Sequence, residues 1–102
     1  MKMFLISDNI DTKAGLRLAG VNGVVVHGRE EALKALESAM KNKETGIILI
    51  TELLVELFPE VISEIKLKAA RPLVVEIPDR HGTRRSSDYI MRYVNEAIGI
   101  KV

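Results

Sequence analysis

The sequence predicts a small α/β protein built on a doubly wound, four-stranded parallel sheet. Short unbroken apolar runs alternate along the chain with stretches of helical periodicity. The runs are rich in Val and Ile, which is typical of parallel strands that helices cover on both faces. The length of 102 residues suits one domain. We predict the strand order 2-1-3-4, with a helical segment at the C-terminus.

Four apolar runs define the strands. We place the strands at about 2–7, 23–27, 46–51 and 72–77, around the runs MFLI, VVV, IILI and LVV. None approaches the roughly 20 apolar residues needed to span a bilayer. The first run is also too short for the core of a signal peptide. We therefore expect any association with a membrane to come through partner proteins.

A short helix is predicted after the first strand. Asp11 or Thr12 can cap its N-terminus, and Gly20 can end it in the left-handed conformation. We interpret Gly15 as a residue that lets this helix pack close to the sheet, and Gly20 and Gly23 as turn residues. These glycines match neither the GxGxxG nor the GxxxxGK[ST] pattern, so the sequence offers no phosphate-binding loop.

Two further helices are predicted in the middle of the chain. The clearer one spans 29–41, and its polar face carries the pairs Glu30–Lys34 and Glu37–Lys41 in the favourable order. A second apolar stripe spans 54–65 and contains Pro59. Because proline breaks a helix interior but suits a first turn, we predict a break just before Pro59 and a restart with it.

The chain after the fourth strand differs from the rest. We divide it into an α/β body at 1–78 and a segment at 79–102, which is a long polar connection followed by an amphipathic helix at about 87–98. Residues 1–65 hold seven basic and ten acidic residues, a net charge of −3, whereas 66–102 hold eight and four, a net charge of +4. We expect a basic segment that can move on a mildly acidic body.

The carboxyl edge of the predicted sheet, where open α/β sheets bind ligands, holds little chemistry. Its residues are Ser7, Asp8, Asn9, His27, Gly28, Thr51, Glu52, Pro78 and Asp79. A phosphoacceptor receiver domain would need an acidic pair, a second aspartate and a lysine, where this chain has a single Asp8, then Thr51, and no lysine after strand four. Glu52 could serve as a general base, but Thr51 is better interpreted as a helix cap. A degenerate receiver-like signalling module is kept as an alternative.

Metal and nucleic-acid binding have little support. The chain has no cysteine, and His27 and His81 lie far apart with no third ligand at metal spacing. We expect no metal and no cofactor, and interpret His27 as a strand-end residue packed under a loop. RNA binding would rely on Arg80, Arg84, Arg85, Arg92, Tyr89 and Tyr93. Both tyrosines fall on a helix and the net charge is only +1, so an RNA-binding α/β protein is the second alternative.

Four stretches of the chain resemble the F subunit of the V-type and archaeal-type rotary ATPases. They are GLRLAG at 15–20, IILITE at 47–52, PLVVEIP at 72–78 and AIGI at 97–100. The first is similar to the family's GFRLAG motif, with Leu16 where phenylalanine is frequent. Each motif is weak alone, but their order and spacing cover essentially the whole chain. The RHGTRRSS stretch at 80–87 departs from the family and leaves its contacts open.

The resemblance implies a non-catalytic subunit of a rotary ATPase or ATP synthase. Such a subunit has a Rossmann-like body and a C-terminal helical segment. It binds the coiled-coil D subunit (the shaft subunit) to form the central stalk, or rotor, and helps couple ATP hydrolysis or synthesis to ion transport. It is cytoplasmic and peripheral to the membrane through the complex. No active site, cofactor or nucleic acid is implied.

The C-terminal segment carries the residues that we expect to bind the partner. They are an apolar stripe of Ile90, Met91, Val94 and Ile98, and the basic residues Arg84, Arg85 and Arg92. The arginines are expected to meet an acidic protein surface, and the resemblance implies that this surface belongs to the shaft subunit. The same stripe could instead cover one face of the sheet, as a fourth helix should. Both arrangements stay open from the sequence.

Overall fold

The protein folds around a four-stranded, all-parallel sheet in the order β2-β1-β3-β4. The computed structural model describes residues 2–68 and 72–78. The strands are β1 (Lys2–Ser7), β2 (Asn22–Val25), β3 (Thr45–Thr51) and β4 (Leu73–Ile77). β1 pairs with both β2 and β3, and β3 pairs with β4. The predicted fold class and strand order are confirmed, whereas the predicted C-terminal helix lies outside the described residues.

The helices in the described part are α1 (Ile10–Leu18), α2 (Arg29–Lys41), α3 (Glu52–Val55) and α4 (Pro59–Lys68). α2 has the predicted bounds, and the exposed side chains of Lys34 and Glu30 form the predicted pair at 3.9 Å. The predicted break is also confirmed, because α3 ends before Phe58 and α4 opens with Pro59. Proline suits that position since the first N–H groups of a helix have no partner within the helix.

The strands β1, β3 and β4 supply core residues to both faces of the sheet, because successive side chains point to opposite sides. One layer packs the strands against α2, α3 and α4 and includes Ile6, Leu36, Ile48, Ile50, Leu54, Phe58, Ile62 and Val74. The other packs them against α1 and includes Leu5, Leu16, Val21, Ile47, Leu49, Val75 and Ile77. This two-sided burial explains why the apolar runs are continuous rather than alternating.

The N-terminus of α1 differs from the prediction. Asn9, and not Asp11 or Thr12, occupies the cap position. Its Oδ1 accepts hydrogen bonds from the backbone N–H groups of Asp11 at 2.8 Å and Thr12 at 3.3 Å. Asparagine is among the best N-cap residues, so the helix begins at Ile10, directly after the turn that leaves β1.

The strand β2 ends earlier than predicted, at Val25 rather than at residue 27. Val26 N still donates to the carbonyl of Ser7 at 2.8 Å, which continues the pairing by one residue. The next N–H group, that of His27, donates instead to Glu31 Oε1 at 2.9 Å. The pairing of β2 with β1 therefore ends at this point, where the backbone of His27 binds the Glu31 carboxylate in the first turn of α2.

The glycines play different roles from those predicted, except at one position. Gly20 has a φ of 85°, as expected of the residue that follows a helix in the left-handed conformation. Gly23 lies inside β2 and not in a turn, and a Cβ added to it would stand 2.6 Å from both Cβ and O of Leu5. Gly15 would have no atom within 4 Å of an added Cβ, so it does not bring α1 close to the sheet.

Candidate functional site

The carboxyl edge of the sheet brings Asp8 and Thr51 together. Thr51 Oγ1 donates a hydrogen bond to Asp8 Oδ1 at 2.8 Å, and the backbone N–H of Asp8 lies 3.4 Å from the same hydroxyl. Thr51 is fully buried and Asp8 is partly buried. The two residues follow adjacent strands, so the contact ties the end of β1 to the end of β3.

Thr51 does not act as the helix cap that its position suggested. It occupies the N-cap position of α3, but its side chain makes no capping hydrogen bond. Its hydroxyl is directed across the sheet edge to Asp8 instead. A receiver domain would have a phosphorylatable aspartate at this place, whereas a buried, hydrogen-bonded hydroxyl fixes the conformation of two neighbouring loops.

Ser7 and Asn9 complete the turn after β1 with local hydrogen bonds. Ser7 Oγ accepts from the backbone N–H of Asn9 at 2.9 Å and donates to its carbonyl oxygen at 3.1 Å. Asn9 then caps α1 through its side chain. The polar groups that the sequence places after β1 are thus engaged in holding the turn and starting the helix. This arrangement favours a structural role over a catalytic one.

His27 is exposed, so the prediction that it packs under a loop is wrong. The chain turns outward there because Glu31 accepts its backbone N–H. Within residues 2–68 and 72–78, no group of three or more His, Cys, Asp or Glu residues could hold a metal ion. His81, the other histidine of the sequence, lies outside the described part.

An open concavity lies at the amino edge of the sheet, opposite the edge that carries the polar residues just described. It has a volume of about 420 Å³ and is open to solvent. Its lining residues are Lys2, Met40, Asn42, Lys43, Glu44, Thr45, Gly46 and Pro72. Lys2 Nζ pairs with Glu44 Oε2 at 3.0 Å across an exposed surface, so these two opposite charges are already matched within the groove.

Several large apolar side chains lie on the surface of the described part. They are Ile10, Leu18, Leu53, Leu57, Leu67 and Leu73. Leu57 belongs to the apolar stripe predicted for 54–65, but it is largely outside the core that Leu54 and Phe58 enter. The most exposed of the six are Leu18 and Leu67, at 87% and 86%. Exposed apolar side chains matter to function only where they are contiguous.

The predicted partner-binding residues all lie outside the described residues. They are Arg84, Arg85, Ile90, Met91, Arg92, Val94 and Ile98. The sequence reasoning did not identify the surface positions of α1, namely Ile10 and Leu18. Ile10, Ala14 and Leu18 follow one another at intervals of four residues, which places them on one side of a helix. This spacing is the sequence signal that could have revealed them.

The architecture defines an α/β protein of the doubly wound type, with helices on both faces of a parallel sheet. No helix in the described part is both long enough and apolar enough to cross a bilayer. The model of one protein family, the ATP synthase (F/14-kDa) subunit, matches residues 3–94.

Curated relatives match the chain over its full length. The F subunit of the A-type ATP synthase of Methanocaldococcus jannaschii is 35% identical over 103 residues, covering 100% of this chain and 99% of that protein. The proteins of the same name from Methanococcus maripaludis and Pyrococcus furiosus are 36% and 32% identical, with 100% of this chain covered and 99% and 98% of theirs. The chain belongs to the family of ATP synthase F subunits.

Proposed function

We propose that this protein is the central-stalk subunit of an A-type or V-type ATP synthase, that it has no active site, and that it binds the coiled-coil shaft subunit. The observation that carries the proposal is the full-length match to proteins named as F subunits of A-type ATP synthases. A family of ATP synthase subunits implies other subunits of the complex as partners. In this role the protein would help couple ATP hydrolysis or synthesis to ion transport.

The state of the carboxyl edge supports a role without catalysis. Asp8 is the acidic residue best placed for chemistry there, and its Oδ1 accepts a hydrogen bond from the hydroxyl of Thr51. This contact joins the ends of β1 and β3, so we propose that the carboxylate serves to hold two loops together. The proposal is therefore a rigid body that presents surfaces to its partners.

The distribution of charge supports binding through the C-terminal segment. Residues 66–102 have a net charge of +4 and residues 1–65 have −3; within the former, the segment at 79–102 holds five basic and three acidic residues, a net charge of +2. Complementary charge raises association rates and fixes orientation more than it raises final affinity. We propose that Arg84, Arg85 and Arg92 meet acidic residues of the shaft subunit and that Ile90, Val94 and their neighbours pack on its coiled coil.

Location follows from the same proposal. Because no described helix could cross a membrane, we propose that the protein reaches the membrane only through the complex, on its cytoplasmic, peripheral part. The body at 1–78 and the segment at 79–102 would then act as one domain with two functions, the first structural and the second for binding.

Direct binding to the shaft subunit tests the proposal. The full chain would be mixed with the purified shaft subunit of the same complex, and affinity and association rate would be measured at low and high salt. The double variant Arg84→Glu and Arg85→Glu should slow association at least tenfold at low salt and much less at high salt. Lys34→Glu with Lys41→Glu makes the same charge change on the exposed face of α2 and should leave the rate within about twofold.

Two outcomes would each contradict a different part of the proposal, the first the identity of the partner and the second the role of the arginines. If the chain enters the assembled ATP synthase but shows no affinity for the shaft subunit, the family assignment stands and the partner is wrong. If both double variants slow association equally, the attraction is that of overall charge and the C-terminal arginines have no special role.

A further inference from the structure

The outer face of α1 carries a row of apolar residues that the core does not use. Leu16 is the fully buried residue of this helix. Ile10, Ala14 and Leu18 follow one another at intervals of four residues, and all three are exposed, Ile10 at 71% and Leu18 at 87%. At 3.6 residues per turn the row centres about 160° around the helix from Leu16. The row therefore faces away from the sheet.

A comparison with α4 shows that this row is not an ordinary surface feature. Leu67 is as exposed as Leu18 and also lies in the last turn of its helix. Its neighbours one turn earlier are Ser63 and Glu64, which are polar and exposed. Single exposed leucines are common on protein surfaces, but a helical row of apolar side chains indicates a binding face.

Charged residues flank the row on both sides. Lys13 and Arg17 follow one side, and Asp11 lies on the other. An α-helix that packed along the row would therefore meet two positive charges on one flank. A partner helix with an apolar stripe and acidic residues beside it would satisfy both the apolar row and the basic flank.

A second copy of this chain packed antiparallel fits the row poorly. In an antiparallel pair related by a two-fold axis, Lys13 and Arg17 of one copy would face the same residues of the other, and like charges repel. The row is also short, because a nine-residue helix is about 13 Å long. A stable interface buries about 800 Å² on each partner, and three side chains supply a small part of that. The row suits one contact within a larger assembly.

We infer that the row formed by Ile10, Ala14 and Leu18 docks an amphipathic helix of another protein of the ATP synthase, one that carries acidic residues beside its apolar stripe. The inference relies on membership of the F-subunit family and on the geometry of α1. It does not rely on the shaft subunit as the partner or on the C-terminal segment. The body of the protein thus has its own contact with the complex, on the outer side of α1.

Photo-crosslinking in the assembled ATP synthase identifies the occupant. A benzoylphenylalanine would replace Leu18 in one preparation and Leu67 in the other, and the crosslinked peptides would be identified by mass spectrometry. The residue at position 18 should crosslink to a helical, acidic segment of another protein of the complex at a yield at least fivefold above that at position 67. Crosslinks to a second copy, to residues 87–98 of the same chain, or equally from both positions would overturn the inference.

Substitution then measures what the contact contributes. Leu18→Asp should lower incorporation of the full chain into a complex that lacks this subunit at least tenfold, because a charge replaces a side chain buried on binding. Leu67→Asp, matched in exposure and in position on its helix, should change incorporation less than twofold. Both variants should unfold at the temperature of the parent within a few degrees. Equal incorporation of the two variants would show that the row docks nothing.

Discussion

Thr51 Oγ1 donates to Asp8 Oδ1 at 2.8 Å across a sequence separation of 43 residues. The hydroxyl belongs to the last residue of β3, and the carboxylate belongs to the first residue after β1. These two strands are neighbours in the centre of the sheet. The contact fixes the turn before α1 against the turn into α3, so it orients both helices from one point. The inference about α1 depends on this orientation, since the helix starts from the turn that Asp8 holds.

Thr51→Val should therefore destabilise the fold without unfolding it. Valine keeps the shape but removes the donor, and a buried hydrogen bond to a charged group contributes about 1.5–3 kcal/mol. Urea unfolding of the full chain measures the change. Thr51→Ser is the control, because it retains the hydroxyl and should recover most of the loss apart from about 0.8 kcal/mol for the missing methyl group. A Thr51→Val variant as stable as the parent would show that the hydrogen bond contributes nothing to stability.

Asp8→Ala and Glu52→Ala test whether the carboxyl edge carries out chemistry. As the protein is proposed to have no active site, both variants should leave the ATPase activity of the assembled complex within a few-fold of the parent. Asp8→Ala should also lower the stability of the chain, since Thr51 loses its acceptor. Activity would be measured at saturating ATP on complexes with equal subunit content. A drop of several orders of magnitude in a folded, fully assembled variant would mean that an active site lies at this edge.

Gly23→Ala and Gly15→Ala should change stability in opposite directions. A Cβ at position 23 would stand 2.6 Å from the backbone oxygen of Leu5, so β2 must move away from β1. Such overpacking costs about 1–3 kcal/mol. At position 15 an added Cβ meets open space in a helix, where alanine is favoured over glycine by about 0.5–1 kcal/mol. Thermal unfolding of the two variants, side by side, checks both signs; destabilisation by Gly15→Ala would mean that α1 packs more closely than described.

Much of the fold could be predicted because the pattern that specifies it is strong. Continuous apolar runs indicate parallel strands buried on both faces. The proline at position 59 indicates that one helix ends before it and another begins with it. The wrong predictions concern polar side chains that could form hydrogen bonds with more than one partner. Asn9, Asp11 and Thr12 are all good caps, and only the exit of β1 decides among them. Thr51 could cap a helix or bind Asp8, and the choice depends on a residue far along the chain.

The surface was harder to predict than the core. A helical pattern shows which residues are apolar but not which of them are buried, although burial is the commonest reason for an apolar residue. In α1 Leu16 is fully buried, whereas Leu18 is exposed and points away from the sheet. A short helix with apolar residues on two opposite faces is ambiguous until its contact with the sheet is known.

Deletion of residues 80–102 tests the role proposed for the C-terminal segment. We expect the remaining chain to fold, because each described strand and helix and both layers of the core lie before residue 79. The truncated chain should bind the shaft subunit at least tenfold more weakly. The reconstituted complex should also transport fewer ions per ATP hydrolysed, because the protein is proposed to help couple hydrolysis to ion transport by binding the shaft subunit through this segment. Circular dichroism, binding to the shaft subunit and ion transport would be measured on the same preparations.

Val94→Asp separates the apolar stripe from the rest of that segment. A charge in the stripe is costly wherever the helix docks, on the shaft subunit or on the sheet, so the variant should reproduce the loss of affinity seen on deletion. The free energy of unfolding distinguishes the two docked states. If the helix covers the sheet in the free protein, Val94→Asp lowers both the free energy of unfolding and the affinity. If the helix docks only on the partner, Val94→Asp lowers the affinity alone. Tyr89→Asp introduces the same charge on the opposite side of the predicted helix from the stripe, and should leave affinity within about twofold. If deletion and Val94→Asp both leave binding, turnover and transport equal to those of the full chain, the segment does not couple the protein to its partner, and the proposed role of the last helix is wrong.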